Sequence, residues 1–173
     1  MTEVSEDARL VSAARDGDRT AFGLLYHRYA RVVHGILLTR VPPGEVDDLV
    51  QDVFLLAMRR LHTLRDVAAF AGWLAAIARN RAMDYYRRSP HHEELTDAIA
   101  DAARDDRPEA EALGALAAIR SLPDSYRETL ILRLVEGLTG PEIAARTGLT
   151  HGSVRVNLSR GMQMLREKLA VHS

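Results

Sequence analysis

Polar side chains that could hydrogen-bond to DNA bases are concentrated near the end of the chain. They are Arg155, Asn157, Ser159 and Arg160. The apolar residues among and after them recur at a helical spacing, at Val154, Leu158, Leu165 and Leu169. Such a stripe predicts a helix that packs by one face and leaves the four polar residues exposed. In the major groove, arginine can hydrogen-bond to guanine and asparagine to adenine. The alternative interpretation is an ordinary helix whose basic face is solvated.

Signals for a short helix and a tight turn precede this segment. Thr139 and Glu142 have the spacing of a capping box, and Pro141 suits a first helical turn. Gly148 lies where a left-handed helix end is expected, and Thr150 can cap the next helix. The pattern predicts a helix-turn-helix over residues 138–169, an arrangement typical of major-groove binding.

Composition excludes several classes of protein. The 173 residues include no cysteine, which excludes disulfides, thiolate metal sites and cysteine nucleophiles. No run of 18 or more apolar residues occurs, so no membrane insertion is expected. Residues 1–7 are acidic and resemble no signal peptide, which predicts a cytoplasmic protein.

Charge is unevenly distributed although the net charge is only -1. Residues 79–88 carry four arginines against one aspartate, and residues 146–168 carry five bases against one glutamate. Between them, residues 91–111 hold eight acids and two arginines. Two basic surfaces that could bind phosphates therefore flank an acidic segment.

The rest of the chain shows helical periods separated by breaks. Four helices are predicted over about 6–15, 20–38, 45–61 and 69–88, with Pro42 and Pro43 in one break. The apolar stripe of the second includes Tyr26, and that of the third includes Met58. Two more are predicted over about 109–121 and 123–137. Residues 91–108 lack an apolar period and are interpreted as a flexible linker. The expected fold is all-α, with two small helical domains and a helix-turn-helix in the second.

Enzymatic chemistry is not indicated. The sequence has no convincing Ser-His-Asp order, glycine-rich phosphate loop or carboxylate pair. His91, His92, Glu93 and Glu94 invite a metal hypothesis, but adjacent loop residues rarely form a closed site without further ligands. No catalytic residue, metal or cofactor is predicted.

Four motifs in order resemble the extracytoplasmic-function (ECF, group IV) sigma factors of bacterial RNA polymerase. The first runs from Asp47 to Leu55, and the second from Trp73 to Asp84 and on to Arg87 and Arg88. The third begins at Leu122-Pro123 and ends at Leu138, and the fourth combines Glu142-Ile143-Ala144 with Gly152-Ser153-Val154-Arg155. The resemblance covers most of the chain.

The resemblance implies a division into three parts. Residues 1–90 would form the region 2 domain, 91–108 the acidic linker and 109–173 the region 4 domain. Such a protein binds core RNA polymerase, directs it to promoter DNA and helps to open the duplex, while the polymerase does the chemistry. The resemblance also implies an anti-sigma factor as an inhibitory partner.

The resemblance assigns residues to three surfaces. Core polymerase would contact an acidic and apolar surface made of Asp48, Gln51, Asp52 and Leu55, although a solvated acidic first turn is the alternative. The −10 element would be bound by Arg79, Asn80, Asp84, Arg87 and Arg88, with the connector 65–70 helping to capture a base. The period of the fourth helix predicts that these five residues are exposed. The −35 element would be read by Gly152, Ser153, Arg155, Val156, Asn157, Ser159 and Arg160.

The sequence departs from the family pattern in two places. Val67-Ala68-Ala69 and Ala71-Gly72 replace the usual polar or aromatic residues of the base-capture loop. Val156, Asn157, Ser159 and Gly161-Met162 differ from common residues of the recognition helix, and we expect these differences to alter promoter preference.

Two alternatives remain open at this point. The acidic linker is either a solubilising tether or a segment that threads into the polymerase channels. The whole chain could instead be an autonomous helix-turn-helix regulator, which would bind a palindromic duplex unaided, usually as a dimer.

Overall fold

The computed structural model describes residues 3–88 and 108–171, which form eight α-helices, three short 3-10 helices and no strand. We call 3–88 the first half; it contains α1 (Glu3–Arg15), α2 (Arg19–Leu38), α3 (Val46–Arg60) and α4 (Phe70–Arg88). We call 108–171 the second half; it contains α5 (Pro108–Arg120), α6 (Asp124–Leu134), α7 (Gly140–Thr147) and α8 (His151–Val171). The predicted all-α fold with a helix-turn-helix is confirmed.

Two sequence features fall largely outside these ranges. The predicted linker reaches the described residues only at Pro108, where α5 begins. The run His91-His92-Glu93-Glu94 also lies outside them. Along 3–88 and 108–171, none of the helices combines the length and apolar character needed to cross a bilayer.

Local signals in the sequence set the helix boundaries of the first half. Asp18 caps α2, because its carboxylate accepts hydrogen bonds from the backbone N–H groups of Thr20 and Ala21 at 3.0 and 3.2 Å. Pro42 and Pro43 separate α2 from α3 and lead into a 3-10 turn over Pro43–Glu45. A further 3-10 turn, Val67–Ala69, is capped by Asp66 and leads into α4.

Helix α2 is the centre of the first half, where α1, α3 and α4 all pack against it. Leu25, Tyr29 and Ile36 are at most 2% exposed. Two residues assigned to the apolar stripes from the sequence do not belong to this core: Tyr26 is 37% and Met58 is 49% exposed. The stripe prediction was wrong there, because no helix covers that side of α2 and α3 among the described residues.

The two halves pack directly against each other, α2 on α6 and α4 on α7, and their buried apolar residues form one continuous cluster. Gly35 makes the α2–α6 contact possible, since a Cβ there would lie 2.6 Å from Cδ2 of Leu132 and 3.1 Å from Cγ of Glu136. At the α4–α7 contact, a Cβ on Gly148 would lie 3.3 Å from Cα of Gly72. Glycines therefore permit close approach at both places.

Candidate nucleic-acid and protein interfaces

The helix-turn-helix is formed by α7 and α8, and its predicted caps are confirmed. Thr139 and Glu142 form a capping box, with both hydrogen bonds at 3.2 Å. The backbone hydrogen bond from Thr139 is the largest cause that lowers the pKa of Glu142. Gly148 ends α7 with φ of 79°, a left-handed conformation that favours glycine. Thr150 then caps α8, since its hydroxyl accepts from the backbone N–H of Ser153 at 3.1 Å.

Helix α8 leaves the predicted −35 residues accessible. Asn157 is half-buried, and the other six are exposed: Gly152, Ser153, Arg155, Val156, Ser159 and Arg160. Val154 and Leu165 on the opposite face are buried. A helix held by one apolar face with arginine, serine and asparagine at its surface has the form needed to enter a major groove.

A groove of about 410 Å³ lies where the N-terminal ends of α7 and α8 meet. It is lined by Gly140, Pro141, His151, Gly152, Val154, Arg155 and Leu158. The sequence prediction missed His151, which is the first residue of α8 and is exposed. Its position directly after the capping residue Thr150 is the signal that could have placed it beside Gly152 and Ser153 at the start of α8.

The structure corrects the extent of the apolar stripe predicted for α8. Leu169 is 44% exposed, so the apolar stripe does not extend to it. Gly161 is buried instead, and a Cβ there would lie 3.1 Å from Cδ1 of Leu130 and 3.4 Å from Cβ of Tyr126. Gly161 therefore lets α8 pack closely against α6, while the expected effect of this position on promoter preference stays a prediction.

Helix α4 holds the residues predicted to contact the −10 element. Asn80, Arg87 and Arg88 are exposed, and Asp84 lies 3.7 Å from Arg87 in an ion pair one turn apart. Arg79 was also expected to be exposed, but its side chain is only 32% exposed and is paired with Glu128 of α6. The helical period correctly predicted that Arg79 lies outside the core of the first half. It could not show that the second half covers the side of α4 that carries Arg79.

Helix α3 presents the surface predicted to bind core polymerase. Asp48 and Gln51 are exposed, and Leu55 is 48% exposed. Asp52 is held by Arg81 of α4 at 2.8 Å, so it also links two helices of the first half. Beside these residues lies an open apolar groove of about 300 Å³, lined by Phe22, Tyr26, Gln51, Phe54, Leu55 and Met58. We call it the α2–α3 groove.

Glu128 is the buried acid at the contact between the halves. It accepts a bidentate set of hydrogen bonds from Arg79 at 2.8–3.2 Å and another from Arg40 at 2.9 Å. Burial alone would raise the pKa of Glu128, but the hydrogen bonds and charges of Arg79 and Arg40 outweigh it and lower that pKa. The sequence prediction missed this group, whose partners lie 49 and 88 residues away.

His34 of α2 forms a second polar contact between the halves. Its Nδ1 hydrogen-bonds with the carboxylate of Glu136, and its Nε2 lies 3.9 Å from Asp47 of α3. Arg31 donates to the backbone oxygen of Glu136 at 3.2 Å. The hydrogen bond to Glu136 is the largest cause that raises the pKa of His34, and the charges of Glu136 and Asp47 act in the same direction against burial.

This contact predicts a pH dependence. Since the pKa of His34 is raised when the halves are packed, its contribution is complete below the ordinary value of about 6.5 and is lost as pH rises through the raised pKa. We expect the midpoint of thermal unfolding to fall between pH 6 and pH 9. His34→Gln, which keeps a hydrogen-bonding group without the charge, is expected to reduce this slope. An NMR titration of His34 with a midpoint below 6.5 would contradict the prediction.

Comparison with known proteins gives two family matches in the order that the sequence suggested. The Sigma-70 region 2 model matches residues 25–90, which include about two thirds of α2 and the whole of α3 and α4. The Sigma-70, region 4 model matches residues 113–165, from within α5 into α8. The two matches therefore include all three predicted contact surfaces.

Curated relatives match along nearly the whole chain. The ECF RNA polymerase sigma-E factor of Haemophilus influenzae is 32% identical over 98% of this chain and 98% of its own length. The ECF RNA polymerase sigma-E factor of Escherichia coli K12 is 34% identical over 98% of this chain and 97% of its own. Among solved structures, CnrH in complex with the cytosolic domain of CnrY is similar with a TM-score of 0.65 and 27% identity, covering 97% of this chain and 99% of that one.

Proposed function

We infer that this chain, which belongs to the ECF RNA polymerase sigma factors, binds core RNA polymerase. It would direct the polymerase to promoters that carry particular −10 and −35 elements. It would also promote opening of the DNA, acting in the cytoplasm as a group IV member. The observation that carries the proposal is the match to ECF sigma-E factors over 98% of the chain. The polymerase supplies the catalytic chemistry.

The polymerase contact is proposed for the α3 surface. Asp48, Gln51 and Leu55 are accessible. Gln51 and Leu55 line the α2–α3 groove, so an apolar partner element could be buried there. Apolar anchors surrounded by polar groups are typical of protein interfaces. Asp52 is shared between this surface and its ion pair with Arg81.

DNA contacts are proposed for α4 and α8. On α4, Arg87 and Arg88 would hold phosphates, and Asn80 would bind a base edge together with the connector 65–70. A base that leaves the stack needs such a pocket when the duplex opens. On α8, the N-terminal residues Gly152 and Ser153 would approach the DNA backbone, while Arg155 and Arg160 would contact guanine or phosphate.

A regulatory protein partner is also proposed. The similar chain CnrH forms a complex with the cytosolic domain of a second protein, CnrY. By analogy, an anti-sigma factor would hold this chain inactive. With no cysteine in the sequence, any thiol-based signal would have to be sensed by that partner.

The test of the proposed function is a titration of fluorescently labelled protein with bacterial core RNA polymerase, with and without an excess of a housekeeping sigma subunit. Saturable binding that the competitor displaces is expected. If the folded, inhibitor-free chain shows no binding to core polymerase but does bind a palindromic duplex alone, it is an autonomous regulator and the proposal is wrong.

A substitution in α8 separates promoter recognition from polymerase binding. Arg155→Ala is expected to weaken promoter binding by the holoenzyme by about tenfold to a hundredfold, because one bidentate base contact contributes about 1–3 kcal/mol. Its affinity for core polymerase should not change. Arg166→Ala, at an exposed arginine of the same helix outside the predicted set, is the control. Loss of polymerase binding in Arg155→Ala would contradict the assignment of α8 to DNA.

A further inference from the structure

One apolar side chain lies in the middle of the surface of α8 that the proposed function assigns to DNA. Val156 is 43% exposed, although valine is a residue type found mostly in protein interiors. Residues three and four positions apart are neighbours on the surface of a helix. The neighbours of Val156 are therefore Gly152, Ser153, Ser159 and Arg160, and all four are exposed. We call these five residues the reading face.

The packing of α8 on the rest of the protein does not use Val156. The helix is held by Val154 and Leu165, which are 1% and 6% exposed, and by Gly161, which lies against Leu130. Val156 follows Val154 by two positions, which corresponds to a rotation of about 200° around the helix axis. Its side chain therefore points away from the buried face and toward whatever α8 binds.

The residues beside Val156 are short, so a base edge can approach it closely. A helical side chain leans toward the preceding turn, which here carries Gly152 and Ser153. Gly152 has no side chain, and a Cβ there would lie 4.0 Å from Oγ1 of Thr150, an ordinary contact distance. The Ser153 hydroxyl accepts a hydrogen bond from that of Thr150 at 2.9 Å. The methyl groups of Val156 are thus left accessible in the centre of the reading face.

The edges of the bases offer one methyl group in the major groove, the C5-methyl of thymine. The other groups there are hydrogen-bond donors and acceptors, which suit Arg155 and Arg160. Valine can neither donate nor accept a hydrogen bond. Against such a group, Val156 would remove water without replacing its hydrogen bond, which costs free energy. Against a thymine, two apolar groups leave water together, which is favourable.

We propose that Val156 makes this chain select a thymine in the −35 element, through contact with the C5-methyl group of that base. The inference rests on the proposed function, in which α8 reads the −35 element, and it names one base that the element contains. Arg160 lies one turn further along the same face, so its contact to guanine or phosphate would fall beside this thymine. The group that is recognised is thus a 5-methylpyrimidine.

A selection experiment identifies the base. Holoenzyme made from core RNA polymerase and the full chain would select binding sequences from duplexes randomised at both promoter elements. We expect the parent to enrich a −35 sequence with a thymine that Val156→Ser no longer enriches, while the other preferences of that variant persist. Val135→Ser is the matched control, because Val135 is 52% exposed and lies at the end of α6, outside the reading face. It should select the same sequences as the parent.

Removal of the methyl group alone tests the contact. Deoxyuridine in place of the selected thymine keeps every hydrogen-bonding group and lacks only the C5-methyl. The parent and Val135→Ser should bind this duplex about three- to fivefold more weakly, the size expected for one buried methyl group. Val156→Ser should bind both duplexes equally. Val156→Thr keeps one methyl group and the branched shape, so it should retain part of the difference.

The same position can be tested by adding a methyl group. With 5-methylcytosine in place of cytosine there, the parent should bind about three- to fivefold more tightly, and Val156→Ser should not. A selected element without thymine would overturn the proposal, as would a methyl effect that is undiminished in Val156→Ser. A uniform loss of affinity for all sequences in that variant would also overturn it, since Val156 would then contact the DNA backbone. A parent that fails to bind core polymerase would instead contradict the proposed function.

Discussion

Leu55→Asp is expected to weaken binding to core RNA polymerase by about a hundredfold. Leu55 is 48% exposed at the edge of the α2–α3 groove, next to Gln51 and Met58. A central apolar anchor of an interface commonly contributes about 2–4 kcal/mol, and 1.4 kcal/mol corresponds to a factor of ten. An aspartate there would also have to be desolvated on binding. The measurement is a fluorescence titration of the folded variant with core polymerase.

Leu24→Asp is the matched control for this prediction. Leu24 is 49% exposed on α2, and it does not line the α2–α3 groove. The two substitutions therefore remove the same side chain from equally exposed sites, so their effects on folding should be similar. Polymerase affinity of Leu24→Asp should stay within about threefold of the parent. Equal losses in both variants would show that the polymerase does not use the surface around Leu55.

Local sequence signals predicted the helix-turn-helix in detail. The capping box of Thr139 and Glu142 and the left-handed Gly148 depend on residues within a few positions of one another, so their chemistry is readable from the sequence. The exposure of Arg155 and Arg160 follows from the same local periodicity, because Val154 fixes which face of α8 is buried. This part of the candidate site was therefore predictable.

The contact between the halves could not be predicted in the same way. Glu128 meets Arg79 and Arg40 across 49 and 88 residues, and neither spacing carries a local signal. In a sequence, Gly35 is only a poor helix former within α2, and its use becomes clear when Leu132 is placed against it. The prediction that Arg79 is exposed was wrong for this reason. Helical periodicity describes one helix and its own core, whereas α6, which covers Arg79, comes from a distant part of the chain.

The predicted contact surfaces differ in how accessible they are. The α3 surface and the face of α8 are open, while Arg79 is held by a buried acid. The arrangement makes the stability of the second half important in its own right, because α6 must carry Glu128 toward the first half and also support α8.

Gly161→Leu is expected to destabilise the second half by about 3 kcal/mol or more. A Cβ at Gly161 would lie 3.1 Å from Cδ1 and 3.2 Å from Cγ of Leu130, which is fully buried. Overpacking of a tight core typically costs about 1–3 kcal/mol, and a whole leucine side chain is larger than most such insertions. Helix α8 would have to move away from α6. Thermal unfolding followed by circular dichroism should show a loss of cooperativity or a lowered midpoint.

The same variant decides between packing and DNA recognition at this position. Gln163→Leu is the control, since Gln163 lies two residues further along α8 and is exposed, so its unfolding midpoint should hardly change. If Gly161 served promoter preference, its substitution would change which promoter sequence is bound and leave the unfolding curve intact. Because Leu130 and Tyr126 fill the space beside Gly161, we expect the reverse: the variant loses stability first, and binding to every −35 sequence falls together.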